Sequence, residues 1–391
     1  MKGYIIRGGQ LVTEEGILRK DIVTEGGRIV AICDPCRDTP PDREVIQADG
    51  CYVSAGFIDI HQHGGGGADY MDAQADTYRM ATEAHLRHGI TSVMPTLLSA
   101  DREALLRAIE SYKQATYDPT IRANLLGIHI EGPYISPKQA GAQKPCHIRP
   151  YNEEEYRAIA KAADGHIKRW STAPEVEGVE AFAAFAKEQG ITLSMAHTDA
   201  DYDTVVRAFA LGFRHVTHLY SCMSTITRKG GFRVAGALEA AFAIDDMNVE
   251  IIADGCHLPT QLLSYVTKFK APEHIALITD AMRAAGADVT ESFLGSAEDP
   301  LPVIVEDGVA KLTDRTAFAG SVATGDRLVR TMLACGTPLC DAVAMATVHP
   351  LRMMGLSVKK GKLAVGYDAD VCIFDRDVQM KHVLCGSRLV L

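Results

Sequence analysis

The sequence predicts an α/β chain: a closed (β/α)8 barrel of the TIM type with a small β-sandwich domain built from its N- and C-terminal segments. Three observations lead there. Eight apolar runs, at 56–63, 91–98, 125–131, 167–173, 191–197, 215–220, 249–257 and 275–280, each end in polar residues. Amphipathic segments of helical spacing separate most of them, at 75–88, 102–117, 153–163, 176–189 and 202–211. Strands of buried type alternating with helices imply a parallel sheet, and eight of them close into a barrel. An open doubly wound sheet is the other architecture this pattern allows. It is set aside because neither a G-x-G-x-x-G fingerprint nor a Walker loop occurs.

The elements follow in order. Residues 1–54 read as short strands at Tyr4-Ile5-Ile6, Asp21-Ile22-Val23, 28–32, 44–46 and 51–53, punctuated by Gly8-Gly9 and Gly26-Gly27. Pro35, Pro40 and Pro41 mark a loop within them, and Cys33-x-x-Cys36 there reads as loop cysteines, since no second pair lies nearby. From residue 55 the strand–helix alternation begins. Asp101, Asn152 and Asp201 stand where helix N-caps belong. His85 and His88 lie on a helical stretch and are expected at the surface. Trp170 and Met353-Met354 are expected to pack in the core. A partly β-like insertion at 293–318 follows the eighth run, then helical patterns at 323–334 and 338–347. The tail at 361–374 returns to strand and turn, and is expected to complete the N-terminal module. The domains are therefore 1–54 together with 356–391, and the barrel over 55–355.

Composition narrows the function. The 391 residues are 47% hydrophobic and 23% charged, ordinary for a globular chain, with a formal net charge of -10. That balance argues against nucleic acid as a partner, because phosphate binding needs a basic surface. No apolar run reaches membrane-spanning length, and the N-terminal apolar stretch is too short for a signal peptide. Ten cysteines without a framework suit reduced thiols, so the expected location is the cytoplasm.

The chemistry sits at the strand ends. Gly56-Phe57-Ile58-Asp59-Ile60-His61-Gln62-His63-Gly64 closes an apolar run with two histidines two residues apart, which in a strand share one face. Gly64 to Gly67 follow, where the backbone can turn sharply and a ligand can come close. The later runs end in His129-Ile130-Glu131-Gly132-Pro133, Ala196-His197-Thr198, Thr217-His218, Asp254-Gly255-Cys256-His257 and Thr279-Asp280-Ala281. A barrel brings all of these to one mouth. Histidines and carboxylates gathered there are the ligand types of a divalent transition metal.

These motifs resemble the amidohydrolase superfamily, and within it the N-acetylglucosamine-6-phosphate deacetylase family. The Glu-Gly-Pro and Asp-Gly-x-His steps are the specific ones. The likeness extends into the tail, at Gly361-x-Leu363-x-x-Gly366-x-Asp368-Ala369-Asp370. The resemblance implies Glu131, His197 and His218 as ligands of the principal metal, with no carboxylated lysine needed. His61 and His63 match positions that hold a second metal in some members, so one or two divalent ions per chain are expected, zinc first and iron, manganese or cobalt as alternatives. It further implies Asp280 as general base and acid and His257 as a substrate contact. Gly141-Ala142 matches a loop against the sugar, and Ala319-Gly320-Ser321 a small-residue loop near the site. The implied partner is a small amino-sugar substrate. Barrels of this type are often homodimers, though no residue pattern here fixes the assembly.

Two departures from the family stand out. Its usual Asn-Ala after the sixth-strand histidine, which helps hold the substrate's phosphate, is Ser221-Cys222 here. Arg228 or Arg233 is the candidate for the family's phosphate-binding arginine. The family's histidine that polarises the acetamide carbonyl is Gln143 here, so either the Gln143 amide or a second metal on His61 and His63 inherits that task. The expected reaction is hydrolysis of the acetamide of N-acetylglucosamine-6-phosphate. The alternatives are another N-acetyl amino sugar, with or without phosphate, or another N-acyl or cyclic amide. A catalytically silent barrel serving as an interaction scaffold is disfavoured, because the ligand set and Asp280 are all present.

Overall fold

All eight apolar runs form strands. In the computed structural model, which describes residues 3–35 and 43–391, they are β1 (Phe57–Gln62), β2 (Ile90–Leu97), β3 (Ile128–Glu131), β4 (Ile167–Thr172), β5 (Thr192–Met195), β6 (Phe213–Val216), β7 (Asn248–Ile252) and β8 (Ile275–Ile278). Each pairs in parallel with the next. Cys36, Pro40 and Pro41 lie outside the described residues. Helices alternate with the strands: α1 (Thr77–Leu86), α2 (Arg102–Ala115), α3 (Glu153–Ala163), α4 (Val179–Glu188), α5 (Tyr202–Leu211), α6 (Ala237–Ala243), α7 (Thr260–Phe269) and α8 (Gly325–Ala334). The side chains of Asp101, Asn152 and Asp201 accept from the backbone N–H groups of Ala104, Glu155 and Thr204, so all three capping expectations hold. α6 and α7, and the hairpin Thr227–Lys229 with Phe232–Val234, were not anticipated from the pattern.

The barrel closes at a seam between β8 and β1 that is not a full ladder. Gln62 and Ala281 form one parallel bridge, and Asp280 N donates to His61 O at 3.0 Å. His63 N and Gly64 N both donate to Ala281 O, at 2.9 and 3.0 Å, and the buried Asp59 carboxylate adds to these. It accepts from Thr279 Oγ1 (2.5 Å), Gln62 Nε2 (3.1 Å), His61 N (3.2 Å) and Thr279 N (3.3 Å). One carboxylate thus ties the strand carrying His61 to the strand leading into Asp280.

The main core lies between the barrel and its helices, where Trp170, Phe182 and Tyr134 pack together and Trp170 Nε1 donates to Gly132 O at 2.7 Å. Met353 and Met354 are buried against Ile58 and Ile60, as expected. His85 corrects the surface expectation. It is 1% exposed, and its Nε2 donates to Gly64 O at 2.9 Å, because α1 packs over the glycine turn. His88 is half-exposed and faces Asp326 at 3.2 Å.

Strands from both chain ends share one six-stranded sheet. Val371–Phe374 pairs antiparallel with Tyr52–Ala55 on one side and with Met380–Cys385 on the other. A four-stranded sheet, including Gly3–Arg7 and Asp21–Glu25, packs against it through Ile6, Ile22, Val53, Val371 and Ile373. The insertion after β8 forms an antiparallel sheet of Glu291–Leu294, Leu301–Glu306 and Val309–Leu312. Among the described residues, no helix is long and apolar enough to cross a membrane. The nine described cysteines are all free thiols.

Candidate active site and metal centre

At the C-terminal mouth of the barrel a cavity of about 210 Å³ opens over the strand ends. His63, Glu131, His197, His218 and Asp280 form its floor. His61 lies just behind, fully buried. Three of these residues have positive φ: His197 (47°), His218 (32°) and Asp280 (49°). Each follows the last residues of its strand, where the chain turns out of the ladder. A non-glycine residue in this region is held there by its surroundings at a cost of ~1–3 kcal/mol, and such residues concentrate at functional sites.

The polar atoms form two groups of three, His61 with His63 and Asp280, and Glu131 with His197 and His218; within each, the ligand atoms lie within 4.8 Å of one another. Glu131 joins the groups. Its Oε1 is 2.9 Å from His218 Nε2 and 3.3 Å from His197 Nε2, while its Oε2 is 3.4 Å from His63 Nε2. Asp280 Oδ1 is 3.1 Å from His63 Nε2 and 3.4 Å from His61 Nε2.

The residues fit divalent ions. His197 Nδ1 donates to Gln139 O at 2.8 Å and His63 Nδ1 to Thr96 O at 3.3 Å. A neutral ring that gives its Nδ1 proton to a carbonyl presents a lone pair at Nε2, as a ligating histidine must. The donor set of imidazoles and carboxylates suits zinc, iron, manganese or cobalt.

Charge explains the rest of the local chemistry. Burial works to raise the Glu131 pKa, but His61, His197, His218 and His63 around it hold the carboxyl well below its usual value. Asp280 is lowered too, with burial opposed by His61 and His63. Burial works against a charged His63, yet Asp280 and Glu131 push it up to about 10. Two carboxylates, Glu131 and Asp280, and several imidazoles thus crowd one buried floor, the donor set of a divalent cation.

The substrate-side predictions divide. Ala142, Gln143, Ser221, Cys222 and His257 line the cavity. His257 Nδ1 donates to Asp254 Oδ2 at 2.8 Å, which aims the rest of the ring inward. Gln143 is engaged at both ends of its amide: Nε2 donates to Glu131 Oε2 at 2.9 Å, and Oε1 accepts from Ser99 N at 3.1 Å. Ser321 is fully buried below the cavity, where its hydroxyl donates to Thr279 O at 2.5 Å; Gly320 beside it does line the space. Arg228 stands on the exposed hairpin opposite Arg233, away from the lining. The sequence reading missed Leu98, Leu294, Ala317 and Phe318, which form the apolar wall. The last three come from the partly β-like insertion expected at 293–318, where no residue pattern signals that it reaches the cavity. Phe318 lies 4.7 Å from the His257 ring, centroid to centroid.

Known proteins share this architecture. The amidohydrolase family model matches residues 52–390. The N-acetylglucosamine-6-phosphate deacetylase of Bacillus subtilis is 33% identical, with 99% of this chain and 97% of that protein aligned. The N-acetylgalactosamine-6-phosphate deacetylase of Escherichia coli O157:H7 is 28% identical over 99% of both. A crystal structure of a Mycobacterium smegmatis N-acetyl-D-glucosamine-6-phosphate deacetylase variant, in complex with N-acetyl-D-glucosamine-6-phosphate, superposes with a TM-score of 0.90 at 30% identity, covering 100% of each chain. The family is metal-dependent, and the barrel mouth carries two groups of residues that could hold a metal ion. The chain therefore belongs to the amidohydrolase family and is a hydrolase of amide bonds.

Proposed function

We propose that this chain removes the acetyl group from an N-acetylhexosamine 6-phosphate, N-acetylglucosamine-6-phosphate first, giving the amino sugar phosphate and acetate. One observation carries the reading: two histidine–carboxylate groups, one of them containing Asp280, converge on a cavity of about 210 Å³. Glu131, His197 and His218 would hold the principal ion, and His61 and His63 a second. An ion there acts as a Lewis acid, polarising the amide carbonyl and bringing the pKa of a water towards neutrality.

The chain's own groups do the remaining work. Asp280 takes a proton from the water as its oxygen bonds to the carbonyl carbon. It returns that proton to the amide nitrogen as the C–N bond breaks, so the amine leaves neutral and the acyl group leaves as acetic acid, whose remaining proton passes to the amine or to solvent to give acetate. His257, braced by Asp254, is the hydrogen-bonding partner for the substrate inside the cavity. Gln143 is read as a brace on Glu131 rather than a carbonyl polariser, because both ends of its amide already have partners. The apolar wall of Leu98, Leu294 and Phe318 suits the acetyl methyl and limits water.

A second reading has its own support. The cavity lining contains neither lysine nor arginine, and Arg228 and Arg233 are exposed outside it. That favours a related N-acetyl amino sugar, or one without phosphate. Acetate release from N-acetylglucosamine-6-phosphate, N-acetylgalactosamine-6-phosphate and unphosphorylated N-acetylglucosamine separates the two when metal content is measured on the same sample. Preference for the first supports the main reading. Equal turnover with and without phosphate supports the second. No acetate from any of them, with metal bound, refutes both.

A further inference from the structure

Beneath the mouth, the barrel interior is polar where such barrels usually carry branched aliphatic side chains. Arg169 on β4 and Glu250 on β7 are both fully buried and form an ion pair between Nη1 and Oε1. Arg169 has further partners: it donates to Thr217 Oγ1 at 2.7 Å, to Ser194 Oγ at 3.1 Å and to Ile60 O at 3.3 Å. The Glu250 side chain accepts no hydrogen bond from the described residues beyond that ion pair. Its free Oε2 faces His61 Nδ1 at 3.7 Å, and His61 Nδ1 has no hydrogen-bond partner among them either. Two buried polar atoms thus face each other just beyond hydrogen-bonding distance. Buried polar atoms are costly to leave unpaired, which points to a partner role for this pair.

Two of the other site histidines, His63 and His197, anchor Nδ1 on backbone carbonyls, while His218 Nδ1, like His61 Nδ1, has no hydrogen-bond partner among the described residues. His61 has a carboxylate in that place, held by an arginine. A ring that gives Nε2 to a cation keeps its proton on Nδ1, and for His61 that proton points at Glu250 Oε2.

We infer that Glu250 is a positioning residue for a second cation: it holds His61 by Nδ1 so that Nε2 faces the space shared with His63 and Asp280, while Arg169 keeps the carboxylate in place. The inference rests on the two-ion reading of the ligand groups. Loading the second position completes the hydrogen bond that the free ring leaves open. The carboxylate also makes His61 a stronger donor than its neighbours. Loss of such an outer partner weakens metal affinity roughly 10- to 100-fold. Among the described residues the Glu250 side chain pairs with Arg169 and His61 and shares no hydrogen bond or ion pair with Glu131, His197 or His218, so the principal position is expected to keep its affinity.

The test is a zinc titration of the metal-free protein against a chromophoric chelator, for the wild type, Glu250→Gln and the double variant Arg169→Met/Glu250→Leu. The double variant leaves no lone buried charge, which guards against simple unfolding. The wild type is expected to take two ions. Both variants should keep the tighter one and hold the second roughly 10- to 100-fold more weakly. The metal-free double variant should melt near the wild-type temperature. A double variant that binds the second ion as tightly as wild type overturns the role of Glu250. Parallel weakening of both ions overturns it too, since a general structural defect would act on both. A wild type that takes only one ion sinks the two-ion reading itself, which is a distinct outcome.

Discussion

Asp59→Ala tests how the barrel seam supports the site. The change removes an acceptor shared by four donors: Thr279 Oγ1, Thr279 N, His61 N and Gln62 Nε2. Two are backbone groups that stay buried whatever the side chains do. An orphaned buried donor costs ~1–3 kcal/mol, and four that share one site do not add in full, so a loss of about 3–5 kcal/mol is expected. Urea unfolding of the metal-free protein measures it. Thr279→Val and the double variant complete a cycle, in which Asp59 and Thr279 should couple by ~1 kcal/mol or more. Activity should fall more than a stability change alone explains, because the same carboxylate sets His61 against Asp280. A loss under ~1 kcal/mol with activity intact would refute the argument, and would mean that packing of Ile58 and Ile60 holds the seam without it.

Three further predictions concern the site and its surroundings. Asp280→Asn should lower kcat by roughly 10²- to 10⁴-fold while zinc content stays near that of the wild type; near-normal kcat removes Asp280 from proton transfer. Gly141→Ala forces a Cβ to 2.4 Å from Cys222 Sγ at a φ of +56°, so activity should drop, and adding Cys222→Ala should recover part of it; full activity in the single variant would show that the loop gives way freely. His85 is held neutral by burial, with its pKa lowered from 6.5 to about 4. The unfolded chain then binds this proton first on acidification, so stability is kept above pH ~6.5 and lost as pH falls towards 4, by about 3 kcal/mol in all. The stability difference between wild type and His85→Gln, measured by urea unfolding at several pH values, should shrink across that window, and a difference constant with pH would contradict the account.

Much of the fold was written in local pattern. The eight strand runs, the caps at Asp101, Asn152 and Asp201, and the His-x-His step depend on residues within a few positions of one another, and they emerge where expected. What was hidden depends on distant partners. His85 looks like any histidine on a polar helix face until α1 is laid on the glycine turn at 64–67, a contact no helical period encodes. Ser321 follows a small-residue loop that does reach the cavity, but its own hydroxyl turns down onto Thr279 O. Arg228 is fixed by a short hairpin between β6 and α6 whose pairing gave no apolar signal. Arg169 and Glu250 are charges inside otherwise apolar runs. Only closing the barrel shows that each faces the other across the axis.

The shared sheet has a consequence for synthesis. Tyr52–Ala55 leads straight into the strand that carries His61 and His63, yet one of its edges is covered only by Val371–Phe374. A ribosome delivers the first long before the second. For most of translation that edge is an open template, able to pair with any extended chain nearby. The nascent barrel therefore has reason to stay loose, or to be shielded by a chaperone, until the last strands emerge. Settling of β1, which ends beside His63, would then be among the final events in the life of the growing chain, not among the first.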